Sequence, residues 1–467
     1  MNTAERHKNF IDRDKLYAII EGEIPTESQV DEILNQALKL KGIGLGDVGA
    51  LLRVTDINQI HKIMETAKII KEDIYGKRLV LFAPLYTGNV CVNNCTYCSF
   101  RKDNHLIKRK ILTMDEIAQE TSALLKQGHK RVLLICGENN YNGTDYMIEA
   151  LRTTYGVRER DGKDYIRRIN VELAPMEVND FARLKAEKIG TYVCFQETYD
   201  QVMYERFHPK GTPKADYLYR LTVMDRAMEG GVDDVGIGAL LGLIDYRFEI
   251  LAMIEHANHL ERAFGCGPHT VSVPRMEPAV GAPDSENVPS PVSDDDFKKL
   301  VAIIRIALPY TGIILSTREN DQMRNELIKY GVSQVSAASK TNPGSYAHDE
   351  EGTGTQFSTG DHRTLDEVIY SLAKEGYVPS FCTGCYRQGR VGHDFMDLAK
   401  PGLIQQFCLP NAMFTFQEYL EDFASPKTKE LGLKVIQEHI NNVRTEQQKK
   451  VKDNLDAIHQ GQRDIYF

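Results

Sequence analysis

"LVLFAPLYTGNVCVNNCTYCSF", residues 79–100, runs from a short apolar segment into Cys91, Cys95 and Cys98. A brief apolar run bounded by turn residues reads as a buried strand. The cysteines, at spacings of four and three, read as one ligand set. Thiolates select zinc or iron–sulfur clusters. A structural zinc wants four protein ligands, usually as two paired CxxC elements. Three thiolates on a 4Fe–4S cluster leave one iron open to an external ligand. Asn93, Asn94 and Thr96 lie between the cysteines, so the loop can wrap tightly around a compact cluster.

Outward from this segment the same grammar recurs. Seven further β-rich runs follow: RVLLICG (131–137), RINVELA (168–174), TYVCFQE (191–197), DVGIGALLG (234–242), HTVSVPR (269–275), GIILSTR (312–318) and VSQVSAAS (332–339). Amphipathic segments separate them. In "TMDEIAQETSALLKQG", Thr113 and Glu116 predict a capping box and Gly128 the residue after the helix end. "TLDEVIYSLAKEG" repeats this with Thr364, Glu367 and Gly376. Eight strand–helix units predict an α/β chain built as a closed (β/α)8 barrel, although a doubly wound open sheet shows the same alternation. In a barrel the cysteines follow strand one, on the face where active sites are built. The expected organisation is a helical extension over 1–75, the barrel over 76–380, and a mainly helical part over 381–467 with a long charged helix over about 428–458. The segment 276–296 is expected to loop over the barrel mouth.

The chain has 467 residues, 42% hydrophobic and 26% charged, with net charge −9. That balance argues against a nucleic-acid or anionic-membrane surface, which needs clustered Lys and Arg. No apolar run approaches the ~18 residues of a membrane helix. "MNTAERHKNFIDRDK" lacks an apolar core, so no secretory signal is expected and cytoplasm is the expected compartment. There, nine cysteines read as metal ligands or core thiols rather than disulfides.

The CxxxCxxC spacing, with aromatic Tyr97 before the last cysteine, resembles the signature of radical S-adenosylmethionine (radical SAM) enzymes. The resemblance implies that SAM takes the open iron. "CGE" at the end of strand two resembles the family's GGE element, with Cys136 in place of the first glycine and Gly137 and Glu138 matching. Asn170 and Glu172 on strand three share a face and resemble the polar pair that contacts SAM ribose and carboxylate. "GIGALLGL" (236–243) resembles the strand-five element near adenine.

A second set, Cys382, Cys385 and Cys408, again offers three thiolates. It reads as a second cluster with an open iron. A zinc ribbon completed by His393, or a redox CxxC, are the other readings. With "FQETY", "ERFHPKG", "GPHTVSVPR", "LSTRE" and "SAASKTNPGSY", this set resembles the radical SAM tyrosine lyases of FeFe-hydrogenase maturation over about residues 75–410. The related 2-iminoacetate synthases of thiamine biosynthesis share the barrel motifs and lack the C-terminal cysteines. The resemblance implies cleavage of the tyrosine Cα–Cβ bond to p-cresol and dehydroglycine. Carbon monoxide and cyanide then form on the second cluster, to build an iron–CO–cyanide unit. It implies two 4Fe–4S clusters, SAM, an additional iron, an electron donor such as ferredoxin or flavodoxin, and other maturation proteins as partners. Arg318 at the end of strand seven is expected to grip a substrate carboxylate, unless it only pairs with Glu319. Gln196 and Glu197, with Ser336 and Ser339 behind them, are further candidates for binding SAM or tyrosine. His269 is expected at the opposite barrel end, as ligand of the extra iron, with His259 as rival. Cys136 and Cys194 read as core residues, and Cys266 lacks ligand spacing. A non-catalytic iron–sulfur carrier is the reading of another class.

Overall fold

β1 (Arg78–Gly88) is buried at every position. Its alternate side chains Val80, Phe82, Pro84 and Tyr86 line interior space, as the two-residue strand period requires. The computed structural model describes residues 7–141, 143–348 and 354–467. The first six residues of the expected N-terminal extension lie outside this range, as do 142 and 349–353 within the expected barrel.

Seven parallel strands follow: β2 (Arg131–Cys136), β3 (Arg168–Glu172), β4 (Tyr192–Val193), β5 (Val235–Gly238), β6 (Thr270–Ser272), β7 (Gly312–Leu315) and β8 (Gln334–Ser336). Each pairs with the next, and β8 returns to β1 with Val80 opposite Gln334, closing the ring. This is the (β/α)8 barrel, and the open-sheet alternative is excluded. All eight β-rich runs became strands, although β4 keeps only two paired residues. Both predicted capping boxes form, at Thr113 with Glu116 and at Thr364 with Glu367. Gly128 and Gly376 take positive φ beyond those helices.

Two features depart from the sequence reading. A ninth strand, β9 (Val378–Ser380), pairs with β1 from Arg78 to Val80. β2 takes that edge of β1 only from Ala83 onward, so β9 closes the barrel's N-terminal end beneath it. The expected long helix over 428–458 is two helices, Pro426–Ile440 and Thr445–His459. The break at Asn441–Arg444 folds the second back, so that both pack on helix Gln405–Asp422. Buried Ile440, Val443 and Val451 reward that fold with apolar contact that one straight helix would forgo.

Ahead of β1, helices Arg13–Ile20, Glu27–Ala37, Leu45–Arg53 and Ile57–Tyr75 cover the barrel's outer helices. Among the described residues no helix is long and apolar enough to cross a membrane.

Candidate active site and metal centres

The strands' C-terminal ends open on the larger cavity. Cys91, Cys95 and Cys98 all line it. Their loop is fixed from several sides. Val92 N donates to the Glu138 carbonyl at 2.7 Å, and Asn93 Nδ2 to the Glu138 carboxylate at 2.5 Å. Thr96 N donates to the Phe207 carbonyl at 3.2 Å. The Arg109 guanidinium clamps the far side through the carbonyls of Asn89 and Phe100, both at 2.8 Å, and Asn104 at 2.9 Å. A Cβ on Gly137 would meet the Val90 carbonyl oxygen at 2.4 Å, so only glycine lets β2's end close onto this loop.

Burial raises the Cys95 thiol's pKa and pushes that of Cys98 up to about 12. Such thiols become thiolates only when cations replace their protons. The Cys91 sulfur accepts the Asn93 N–H at 3.4 Å. Among the described residues no three His, Cys, Asp or Glu side chains converge on a single ion. A cubane instead spreads its ligands over separate irons, so one cavity lined by three cysteines fits a 4Fe–4S cluster better than zinc.

Around the cysteines the cavity is lined by Tyr97, Glu138, Asn170, Glu172, Glu197 and Arg318. Tyr97 OH meets His208 Nε2 at 2.7 Å. Burial, then the nearby Glu197 charge, raise Glu172 to about 7. Burial works on Glu197 too, but Lys214 at 2.6 Å and Arg220 at 3.9 Å outweigh it and hold its pKa low. Glu197 adopts φ 70°, in the left-handed region, at the bridge to Ala239.

Arg318 is half-buried with no carboxylate partner among the described residues, and desolvation lowers its pKa. Glu319, its expected partner, pairs with Arg275 instead, at 2.9 Å. The Arg318 guanidinium lies 3.4 Å from the Phe357 ring centroid, which fixes its plane. An oriented, unpaired guanidinium facing a cavity is an anion receptor. Ser336 and Ser339 also line this cavity, and the Ser339 hydroxyl is buried with no hydrogen-bond partner among the described residues.

Gln196 departs from expectation. Its neighbours Phe195 and Glu197 line the cavity and it does not. Its amide is buried outside the cavity and has no hydrogen-bond partner among the described residues. Cys136 and Cys194, read as core residues, are part of the cavity wall. Sequence reasoning missed Lys214, Arg220, His208 and Tyr86. Of these His208 lies in "ERFHPKG" and Tyr86 in the apolar run that leads to the first cysteines.

A second, smaller cavity lies at the opposite end. Val80, Arg131, Gly312 and Gln334, all near strand starts, line it with Cys382, Cys385, Cys408 and His269. His269 precedes β6, and its ring packs on Phe395 with centroids 4.6 Å apart. Its Nε2 lies 3.3 Å from Tyr386 OH, and its Nδ1 3.6 Å from Asp234. Burial lowers its pKa, keeping the imidazole neutral and able to ligate. A hydrogen bond with Cys408 and the Arg390 cation bring Cys385 down to about 6. Arg78 and Arg131 add positive charge to the lining. Three thiols and one imidazole lining one cavity suit an iron–sulfur centre, whose ligands are spread over separate irons, rather than a single ion. His259 is not among them: it meets Asp225 at 2.7 Å and stacks on Phe10. His393 is exposed and meets Asp397, so no zinc ribbon forms through it.

Residues 85–257 match the radical SAM superfamily, and 272–378 the biotin and thiamin synthesis associated domain. The chain is 33% identical over 383 residues to the 2-iminoacetate synthase of Salmonella typhimurium, covering 80% of this chain and 96% of that one. It superposes on the solved structure of HydG, a maturase of the FeFe-hydrogenase, with TM-score 0.95 and 46% identity, covering 98% of this chain and all of the other. The chain belongs to the HydG family of radical SAM proteins. HydG from Carboxydothermus hydrogenoformans superposes with TM-score 0.83 at 38% identity, over 97% of this chain and all of that one. Matches of that extent take in the C-terminal cysteine segment, whereas the synthase match leaves a fifth of the chain outside. The family implies a 4Fe–4S cluster and SAM, and the cysteine-lined cavity fits both.

Proposed function

We propose that this chain cleaves the Cα–Cβ bond of L-tyrosine to p-cresol and dehydroglycine, and converts dehydroglycine to carbon monoxide and cyanide for the FeFe-hydrogenase cofactor. The observation that carries this reading is the second donor set, Cys382, Cys385, Cys408 and His269 around one cavity. A lyase that stopped at dehydroglycine would have no use for it.

Cys91, Cys95 and Cys98 would hold the first cluster, and Gly137, Glu138, Asn170 and Glu172 the polar groups of SAM. When bound, these groups supply the hydrogen-abstracting radical chemistry. Arg318 grips the tyrosine carboxylate, its plane set by Phe357. Ser336 and Ser339 stand beside it as hydrogen-bonding groups. Lys214 and Arg220 keep Glu197 ionised, so that it can receive a cationic amino group. Phe82, Leu133 and Leu240 keep water from the reacting centre. The atoms balance: dehydroglycine, C2H3NO2, divides into CO, HCN and water. In this reading residues 381–467 form the part that, with His269, binds the second 4Fe–4S cluster and one additional iron. Other maturation proteins would receive the product.

The test is anaerobic reconstitution with iron and sulfide, then a product assay with SAM and tyrosine. Two clusters require about eight iron and eight sulfide per chain, plus one extra iron. p-Cresol together with carbon monoxide and cyanide supports the proposal. p-Cresol with 2-iminoacetate alone assigns the synthase chemistry of the Salmonella relative. No cleavage with clusters in place leaves the carrier reading.

A further inference from the structure

Directly after the first cysteine set the chain reads RKDNHLIKRK, residues 101–110. Five of these ten side chains are cationic and one is anionic, in a chain of net charge −9. Arg109 points inward and clamps carbonyls of the cysteine loop. Arg101 Nε donates to Asn94 Oδ1 at 3.0 Å, and Lys110 pairs with Glu116 at 3.1 Å. Lys102 and Lys108 are exposed. Between them Leu106 is 73% exposed, an unusual position for leucine. Val280, 53% exposed, is held beside this loop because Asn104 Nδ2 donates to its carbonyl at 2.7 Å. The surface is an apolar spot with basic side chains at its edge. The one acidic member, Asp103, accepts from Asn94 Nδ2 at 2.6 Å.

The same loop is the outer layer over the cysteines. Arg101 N donates to the Cys98 carbonyl at 3.1 Å, and Lys102 N to the Asn93 carbonyl at 2.7 Å. One hydrogen bond therefore joins the patch to a ligand residue of the first cluster. A radical SAM protein must receive electrons one at a time from outside, and Cys95 itself is buried.

We propose that the 101–108 loop, with Val280, is the docking surface for the electron donor, and that the donor is a small protein with an acidic face around its redox centre. Charge complementarity selects that occupant. Opposite charge steers the encounter and raises the association rate, while the Leu106–Val280 spot supplies a dry contact. The proposal rests on membership of the family and not on tyrosine as substrate.

The test replaces Lys102→Glu and Lys108→Glu together in the reconstituted holoprotein. Reduction of the SAM-bound first cluster is followed by its EPR signal, with reduced flavodoxin as the acidic probe. Photoreduced 5-deazariboflavin serves as a small neutral comparator. The flavodoxin-driven rate should fall about tenfold at low salt, and the gap should close as salt screens the charges. The deazariboflavin rate should stay at the parent value, and the Lys102→Arg, Lys108→Arg pair should behave as the parent. A flavodoxin rate within threefold of the parent at low salt overturns the proposal. So does an equal loss with both reductants, which would make the loop a support of the cluster rather than a docking surface.

Discussion

The upper cavity, at the strands' C-terminal ends, draws its three cysteines from one loop. The lower takes Cys382 from the turn after β9, Cys385 from the short helix Gly384–Arg387 and Cys408 from a helix that begins at Gln405. The upper cavity has a volume of about 220 Å³, the lower about 60 Å³. Carboxylates and cations both line the upper one: Glu138, Glu172 and Glu197 with Lys214, Arg220 and Arg318. Around the lower one Arg78, Arg131 and Arg390 are the charged groups. Three cysteines thus line each of two different environments. A roomy chamber with both signs of charge can orient zwitterions such as SAM and an amino acid. A small basic chamber suits a metal centre with small anionic ligands. Because the β9 strand and Cys382 sit under the barrel, the two are built on opposite ends of the same eight strands.

The sharpest way to break this division is at the upper cysteines. Cys95→Ala should reduce SAM cleavage to background, since in the proposed reading it removes a ligand of the cluster that passes the electron. 5′-Deoxyadenosine formed at the parent rate would move the radical source elsewhere.

Arg318→Lys should come next in size. Lysine keeps the charge and loses the planar fork. Loss of a charge-assisted hydrogen bond costs about 2 kcal/mol, which is about thirtyfold in tyrosine affinity. SAM affinity should hold. Equal loss of both ligands would make Arg318 a support of the whole chamber.

Glu172 sharpens the comparison by pH. Its folded pKa is raised from 4.5 to about 7. The folded chain therefore keeps a proton that the unfolded chain releases, and its contribution to stability declines as pH rises from about 4.5 to 7. Above 7 the carboxylate is available to accept from SAM hydroxyls. SAM should bind a few-fold more tightly at pH 8 than at pH 6, and Glu172→Gln should flatten that dependence. A slope that persists in the variant would assign it to another group.

Much of this was legible in the sequence, because it depends on local spacing. The eight strands, both capping boxes and both cysteine sets repeat short-range patterns. His269 could be placed at the lower end because it opens its strand, and its convergence with Cys382 needed the fold. Lys214 and Arg220 carry no such mark. They sit in a helical segment after β4 and reach Glu197 only through the chain's return. β9 is three residues with a proline, too short for a hydrophobic run to declare itself. Gln196 was over-read, since the cavity wall around the end of β4 takes in Phe195 and Glu197 and leaves Gln196 buried outside it.

The central claim is that two reactions occupy two ends of one barrel. Replacing Cys382→Ala and Cys385→Ala together, in protein reconstituted and supplied with SAM and tyrosine, tests it directly. p-Cresol is measured by chromatography, and carbon monoxide is trapped by deoxyhaemoglobin. The account predicts that p-cresol persists near the parent rate while carbon monoxide falls to background. Carbon monoxide at the parent rate would contradict it and leave the lower cysteines without a part in the chemistry.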